Sequence, residues 1–283
     1  MENITRTVYG AELQTNLLLN ITPPMRPNST LNQKLGIEAN TSLSSNDRAA
    51  MRYICIGNGG HDFVRGADGR VATKTIQHRA TDGAPYSMLP FVLREPNNDL
   101  TPADMAKYAL RRPETHDGRN YIAYYLRRID ITTTSTVLEL KTVLNNQTTV
   151  TPFVPTAINL NPTPPDLTIT GVNVTTGDYV SATAKLPFNM TVEDVRNFLD
   201  AVNIIYGSND YGVISEIGLC SGVDKVVSAP SVSGGNFNYA EAIGVQIVAH
   251  LNALYVMQFN NDGIQTLIDV GATEPMLTLQ NNP

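Results

Sequence analysis

The sequence predicts a mainly β protein with a few short helices, in which antiparallel sheets form a sandwich-like arrangement behind an extended N-terminal arm. Two apolar, strand-like runs, over 51–61 and 211–222, lead directly into glycines. Residues 245–252 alternate between apolar and polar, as expected of an antiparallel strand with one buried face. Charged residues make up only 16% of the chain, below the roughly 25% of an ordinary soluble domain.

Residues 1–45 are predicted to form the extended arm. Pro23, Pro24 and Pro27 interrupt a segment with little regular pattern, and loops of this length are uncommon inside compact domains. The apolar run Leu17-Leu18-Leu19 needs cover from other protein surface. We therefore expect the arm to be ordered only against neighbouring subunits.

A first β-rich region is predicted over residues 46–150. A short helix is expected over Asp47–Met51, followed by a strand that ends at the Gly57–Gly60 turn. Thr101 and Pro102 have the residue types of a helix start, and this helix is expected to reach about Arg111. Strands are expected over 120–131 and 132–143.

A second β-rich region is predicted over residues 151–283, either as a separate domain or combined with 46–150 in one composite domain. The proline-rich stretch 145–166 is the expected crossing between the two. Thr191 and Asp194 predict a capping-box helix to about Ile205. The expected strands lie over 167–174, 179–186, 213–219, 225–229, 242–251, 254–259 and 266–270, with a hairpin turn at 260–263.

No residue is predicted to be catalytic, to bind a cofactor or to bind a metal. The Gly57–Gly60 sequence lacks the lysine and the following helix of a phosphate-binding loop, so we expect a structural turn that uses the positive φ angles open to glycine. The four histidines share no metal-ligand spacing with one another or with the cysteines. They are His61, His78, His116 and His250.

Glu216 is the most conspicuous carboxylate, because it lies inside the apolar run 213–219. A catalytic role would need a partner acid or base that the sequence does not indicate. On an alternating strand it is expected to face away from Ser215 and Ile217 and to pair with an arginine or lie at an interface.

Charge and hydropathy exclude several classes of function. The net charge is −6 with scattered cations, so no basic stripe for nucleic acid is expected. No apolar run is long enough to predict a membrane span, and no apolar leader predicts export. Cys55 and Cys220 lie in apolar strands and are expected to be buried and reduced.

The order of two motifs resembles the N-terminal domain of phage tail-collar fibre proteins and, more distantly, baseplate wedge proteins of contractile tails. The motifs are Tyr53-Ile-Cys-Ile-Gly-Asn-Gly-Gly60 and Val213-Ile-Ser-Glu-Ile-Gly-Leu-Cys-Ser-Gly222. The resemblance covers the pattern of residues 50–60 and 180–260. Three features depart from it: Cys220 replaces an aromatic residue, a long insertion separates the motifs, and no fibre shaft follows.

The resemblance implies a virion structural protein of a tailed bacteriophage, a tail baseplate wedge, collar or adaptor subunit that assembles with other proteins and attaches fibres. The expected partners are tail, baseplate, fibre or neck proteins and copies of the chain itself, without nucleic acid, membrane or cofactor. The expected location is the virion tail, after synthesis in the host cytoplasm. Alternatives are a capsid decoration or minor head or neck protein and, from another class, a glycan-binding or glycan-degrading tail-tip protein.

Overall fold

The computed structural model describes residues 3–22, 30–37, 43, 47–145, 147–162, 172–230, 235–258 and 263–281. The chain divides into two compact units, which differ from the expected division at residue 150. The first unit contains Met1–Ile129 and Asn189–Ile264, and the second contains Asp130–Phe188 and Gln265–Pro283. Both predicted regions therefore contribute residues to both units.

The fold is mainly β with antiparallel sheets and short helices, as the sequence predicts. The strands are β1 (Asn3–Arg6), β2 (Ala50–Gly57), β3 (His61–Arg65), β4 (Val71–Thr75), β5 (Met88–Leu89), β6 (Val92–Arg94), β7 (Tyr108–His116), β8 (Arg119–Arg128), β9 (Val137–Leu144), β10 (Gln147–Pro152), β11 (Val172–Met190), β12 (Val213–Pro230), β13 (Asn236–Val256) and β14 (Ile264–Asn281). The helices are α1 (Val8–Leu18), α2 (Thr30–Leu35), α3 (Pro102–Met105) and α4 (Val192–Tyr206), with 3-10 turns at Pro96–Asn98 and Asn209–Tyr211.

The first unit is built on an eight-stranded sheet in the order β1-β13-β12-β2-β8-β6, with β5 paired to β2 and β7 paired to β8. The central strands β12 and β2 are antiparallel neighbours. Apolar side chains of the sheet form the main core, among them Tyr53, Cys55, Leu110, Tyr125 and Ile247. Burial of this apolar surface is the main favourable term in folding.

Helix α4 covers apolar residues of this unit with one face. Thr191 begins it with the predicted capping box: its hydroxyl accepts from Asp194 N–H, and the Asp194 carboxylate accepts from Thr191 N–H. Phe198 and Val202 are fully buried, at the spacing of one helix face. Gly207 ends the helix in the left-handed conformation that glycine adopts without strain.

The predicted irregular arm is replaced by regular structure in the described part of residues 1–45. β1 pairs antiparallel with β13, and Thr7 caps α1 by accepting from Gly10 N–H. Leu31 of α2 is fully buried in the main core. The arm was predicted because three prolines, Pro23, Pro24 and Pro27, interrupt a segment in which no regular pattern is evident. A Cβ at Gly10 would lie 2.2 Å from the Val248 carbonyl oxygen, so this glycine lets α1 lie against β13.

Two further local predictions were wrong. Residues 47–49 form no helix, and β2 begins at Ala50. The helix capped by Thr101 begins as expected, but α3 ends at Met105 and β7 follows from Tyr108. The expected turn at 260–263 lies largely outside the described residues.

The second unit contains a four-stranded sheet in the order β10-β9-β11-β14. β9 pairs antiparallel with β10 and with β11. Phe188 and Ile268 are buried, but most of the apolar side chains described in this unit are exposed. The exposed ones include Val143, Leu144, Val150, Ile158 and Leu267.

Candidate functional site

A β-hairpin formed by β3 and β4, residues 61–75, projects from the first unit, and we call it the hairpin. Its strands pair only with each other among the described residues. Phe63 is 67% exposed and Val71 is 58% exposed, and every residue from 62 to 74 lies in the exposed class. The hairpin therefore presents apolar side chains to solvent, and its order depends on how its two ends are held.

Both ends of the hairpin meet a buried polar cluster. We call this cluster, formed by Glu216, Ser215, His78, Asp82 and His250, the anchor. Glu216 and Ser215 come from β12, and His250 comes from β13. His78 and Asp82 lie in the segment that follows the hairpin. The side chains of Glu216 and His78 have no exposed area.

The Glu216 carboxylate accepts hydrogen bonds from three backbone amides in addition to the imidazole of His78. Oε2 accepts from Gly59 N–H at 2.8 Å and Ser87 N–H at 3.3 Å, and Oε1 accepts from Tyr86 N–H at 2.7 Å. Burial works to raise the pKa of Glu216, but the hydrogen bonds from His78 and these amides outweigh it, so the pKa lies below its ordinary value. The carboxylate thus fixes the chain immediately before the hairpin and again at residues 86–87.

His78 joins Glu216 to Asp82 through both ring nitrogens. Nε2 lies 2.8 Å from Glu216 Oε1, and Nδ1 lies 3.1 Å from Asp82 Oδ2. Each ring nitrogen therefore faces a carboxylate, and the three groups form a buried hydrogen-bonded chain. Burial acts to raise the pKa of Asp82, but hydrogen bonds from Arg79 and His78 bring it below its ordinary value.

The His78 ring is stacked between two other rings. Tyr86 lies on one side at 4.1 Å between centroids, and His250 lies at 3.7 Å. His250 Nε2 donates to the Asp82 carbonyl oxygen at 3.1 Å. Burial, together with the neighbouring His78, lowers the pKa of His250 to about 4, so His250 is neutral at pH 7.

Ser215 holds the first residues of the hairpin. Its Oγ accepts from Gly60 N–H at 3.0 Å and lies 3.0 Å from His61 Nδ1. The expectation that Ser215 and Glu216 face apart is wrong, since both side chains reach the Gly57–Gly60 turn. The pairing of β12 with β13 shifts in register between Ile214 and Glu216, where regular alternation is interrupted.

Glycine is required at the Gly57–Gly60 turn because neighbouring atoms leave no space for a Cβ, and not because the backbone has positive φ angles. Gly57, Gly59 and Gly60 are absent from the positive-φ glycines of the chain. A Cβ at Gly60 would lie 2.5 Å from Glu216 Cγ, and one at Gly59 would lie 2.8 Å from Ser87 N. The predicted structural turn is present, but its glycines are needed because the backbone packs directly on the anchor.

The anchor holds backbone and does not present reactive groups. A chain of carboxylate, imidazole and carboxylate can move protons, but a substrate would have to contact groups that have almost no exposed surface. Its hydrogen bonds join residues far apart in sequence: His78 and Glu216 are 138 residues apart. The arrangement is suited to fixing both ends of the hairpin against the sheet.

The predicted residues are distributed unevenly around the anchor. His61, His78 and His250 converge on it, whereas His116 pairs with Glu114 at 2.9 Å elsewhere. The arginine partner expected for Glu216 is wrong, because His78 and backbone amides satisfy it. Two signals for the site were present in the sequence: a charged residue within an apolar strand, and glycines at the end of its neighbour.

Cys55 and Cys220 are buried and free, as the sequence predicts. Their sulfur atoms lie 3.7 Å apart on neighbouring strands in the main core. Within the described ranges, no three His, Cys, Asp or Glu side chains are grouped so that they could hold a metal ion. The described helices are all too short or too polar to span a bilayer.

Comparison with known proteins gives a family and no further relative. No curated protein and no solved structure matches the chain. One family model matches it over residues 1–283. The chain therefore belongs to DUF7208, a family of unknown function.

Proposed function

We propose that this chain is a structural subunit of a tailed-phage virion, a baseplate wedge, collar or adaptor protein that acts by associating with other subunits and attaching fibres. The observation that carries the proposal is the hairpin, an apolar projection held at both ends by the anchor. Its partners are other tail or neck proteins and further copies of the chain.

The hairpin has the properties of a contact element. A two-stranded hairpin alone is marginally stable in water. Large apolar side chains that stay hydrated do not contribute the stabilisation that their burial would provide. Here Phe63, Val64 and Val71 are all more than two-fifths exposed. The anchor fixes the base of the hairpin, so less ordering entropy remains to be lost when a partner covers it.

Apolar side chains elsewhere support the same function. Leu17, Leu18 and Leu19 at the end of α1 are 51%, 78% and 63% exposed. In the second unit, Leu144 and Ile158 are 69% and 89% exposed. Single exposed apolar residues are ordinary on a protein surface, but runs of them mark surfaces that associate.

The resemblance to tail-collar and wedge proteins indicates the kind of assembly to which the chain would belong. The geometry of the hairpin and the anchor indicates how the chain would contact its partners. The Gly57–Gly60 turn and the 213–222 motif that carry the resemblance meet in the structure, where Glu216 accepts from Gly59 N–H. The two motifs therefore form one structural device that supports the hairpin. This agreement favours a subunit whose role is to present a contact element.

The test is quantitative mass spectrometry of purified virions of the phage that encodes the chain, with heads and tails separated. We expect the chain in the tail fraction at a fixed ratio to the tail-tube protein, and co-purification of neighbouring baseplate or collar proteins. Its presence in heads alone would favour the decoration or minor head alternative. Its absence from particles would overturn the proposal.

A further inference from the structure

A cleft of about 340 Å³ lies in the first unit beside β6 and α4. Leu93, Tyr121 and Ile204 line it together with the polar residues Glu95, Asn98, Asp200 and Asn203, and Glu95 and Asp200 are exposed. Arg94 also lines the cleft, but its guanidinium donates to Asn197 Oδ1 at 2.6 Å. Neither acidic side chain has an ion-pair partner within the described residues, so the cleft combines three apolar residues with unpaired negative charge.

One face of the hairpin has the complementary chemistry. In the antiparallel pairing Arg65 lies opposite Val71, and Phe63 lies opposite Thr73, so these four side chains share a face. Arg65 has no ion-pair partner in the part of the chain that the structure describes. The opposite face contains Asp62 facing Lys74, which places opposite charges side by side. The first face therefore offers an aromatic ring and a free guanidinium together.

The net charges of the hairpin and of the remainder of the chain are also opposite in sign. Residues 61–75 contain Arg65, Arg70 and Lys74 against Asp62 and Asp68, which is a net charge of +1. The whole chain has a net charge of −6, so the remainder of the chain has −7. Opposite charge steers association and fixes its orientation. The net charges of two copies repel each other, so attraction between copies is local, between the positively charged hairpin and the acidic residues of the cleft.

We propose that the Phe63 and Arg65 side chains of one copy's hairpin insert into the cleft of a second copy, with Phe63 against the apolar residues of the cleft and Arg65 paired with Asp200 and Glu95. The inference rests on the proposed function, which it deepens by naming the partner and the contact. The cleft volume is at the lower end of ordinary ligand pockets, about 300–1,000 Å³, so it has room for large side chains but not for a folded element.

The contact is heterologous, because two different surfaces of the same chain meet. Contacts of this type generate rings if the rotation closes and filaments if it does not. A ring is the arrangement that a collar or baseplate subunit needs around a tail axis. Association through this contact weakens with salt, because charged pairs at an interface are screened.

Charge reversal tests the contact with the full-length chain. Arg65→Glu and Asp200→Lys should each weaken self-association about tenfold or more in analytical ultracentrifugation, because like charges then meet. An equimolar mixture of the two variants should associate again, since each hairpin then finds a cleft of opposite charge only on the other variant. Lys74→Glu, on the opposite face of the hairpin, changes the net charge by the same amount and is the matched control, so it should weaken self-association much less than Arg65→Glu does.

A cross-linking experiment tests the same contact and does not require the charge-reversed variants to fold. A photoreactive phenylalanine analogue replaces Phe63, and light and heavy isotope-labelled chains are mixed before irradiation. We expect light-to-heavy cross-links to peptides that contain residues 93–95, 121 or 200–204. Cross-links confined within one chain, or to other peptides of the second copy, would overturn the inference.

The outcomes separate this inference from the proposed function. If the chain is found in tails and the residue-63 cross-links in particles map to a different protein, the proposed function stands and the second-copy contact is wrong. If mixed charge variants fail to associate while Lys74→Glu and wild type do, the contact is also wrong. If the chain is absent from particles but cross-links as expected, the proposed function fails and the contact stands.

Discussion

The anchor and the hairpin are in contact, and both reverse the usual distribution of buried and exposed side chains. The anchor buries two histidine rings and two carboxylates, and the hairpin exposes phenylalanine and valine. Buried charges are tolerated only when they are paired and fully hydrogen-bonded, and exposed apolar patches mark contact surfaces. The comparison shows that the polar residues maintain the conformation and the apolar residues are available for contact.

Replacing Glu216 by glutamine should have the largest effect on the anchor. The carboxylate accepts from three backbone amides and faces the His78 ring, and the NH₂ group of glutamine cannot accept, so at least one buried donor loses its acceptor. We expect a loss of about 3–5 kcal/mol in the free energy of unfolding, as for a broken buried ion pair. Urea denaturation measures it. The matched control, Glu274→Gln at an exposed position, should change stability by less than about 0.5 kcal/mol.

Acid should also break the anchor. The pKa of His250 is about 4 in the fold against an ordinary 6.5, and the pKa values of Glu216 and Asp82 are lowered as well. At acid pH the unfolded chain therefore binds more protons than the folded chain. The contribution of these three groups to the free energy of unfolding is complete above pH 6.5 and declines as the pH falls through 4. His250 alone contributes about 3 kcal/mol to this decline.

Thermal unfolding between pH 8 and pH 4 checks this dependence. His250 faces His78, Glu216 and Asp82 and is buried, so its protonation places a positive charge where little water can solvate it. The His250→Gln variant should show a shallower decline between pH 6.5 and 4. Equal slopes in the two proteins would mean that His250 titrates normally in the fold.

Gly60→Ala should test the close packing at the base of the hairpin. The added Cβ would lie 2.5 Å from Glu216 Cγ and 2.7 Å from the Ser215 carbonyl oxygen, so the turn must move away from the anchor. Overpacking of this kind costs about 1–3 kcal/mol. Gly66→Ala at the hairpin tip is the comparison, because only the flexible Asp68 side chain is close. Calorimetry should separate the two variants.

Phe63→Ser should have the smallest effect on the isolated chain and should sharpen the contrast with the anchor. An exposed side chain makes few contacts in the folded monomer, so we expect stability within about 0.5 kcal/mol of wild type. Incorporation into particles, measured by quantitative mass spectrometry, should fall sharply. A large loss of monomer stability would show that Phe63 packs within its own chain.

The sequence predicts the elements more completely than the site. Thr191 and Asp194 predict α4 because a capping box is a local signal, and the apolar run around Glu216 predicts β12. The convergence of His78, Glu216 and His250 was not predictable, since it depends on the pairing of β12 with β13 and on the path of the segment after the hairpin. No strand was predicted over residues 61–75, because charged residues and glycines interrupt the apolar pattern of Phe63, Val64 and Val71.

Amide hydrogen exchange of the isolated chain and of the chain in particles tests the central claim most directly. The amides of Gly59, Gly60 and Tyr86 donate to the anchor, so they should exchange slowly in both states. The amides of residues 62–74 should exchange fast in the isolated chain and slowly in the particle. Equal exchange of these hairpin amides in the two states would contradict a contact role for the hairpin.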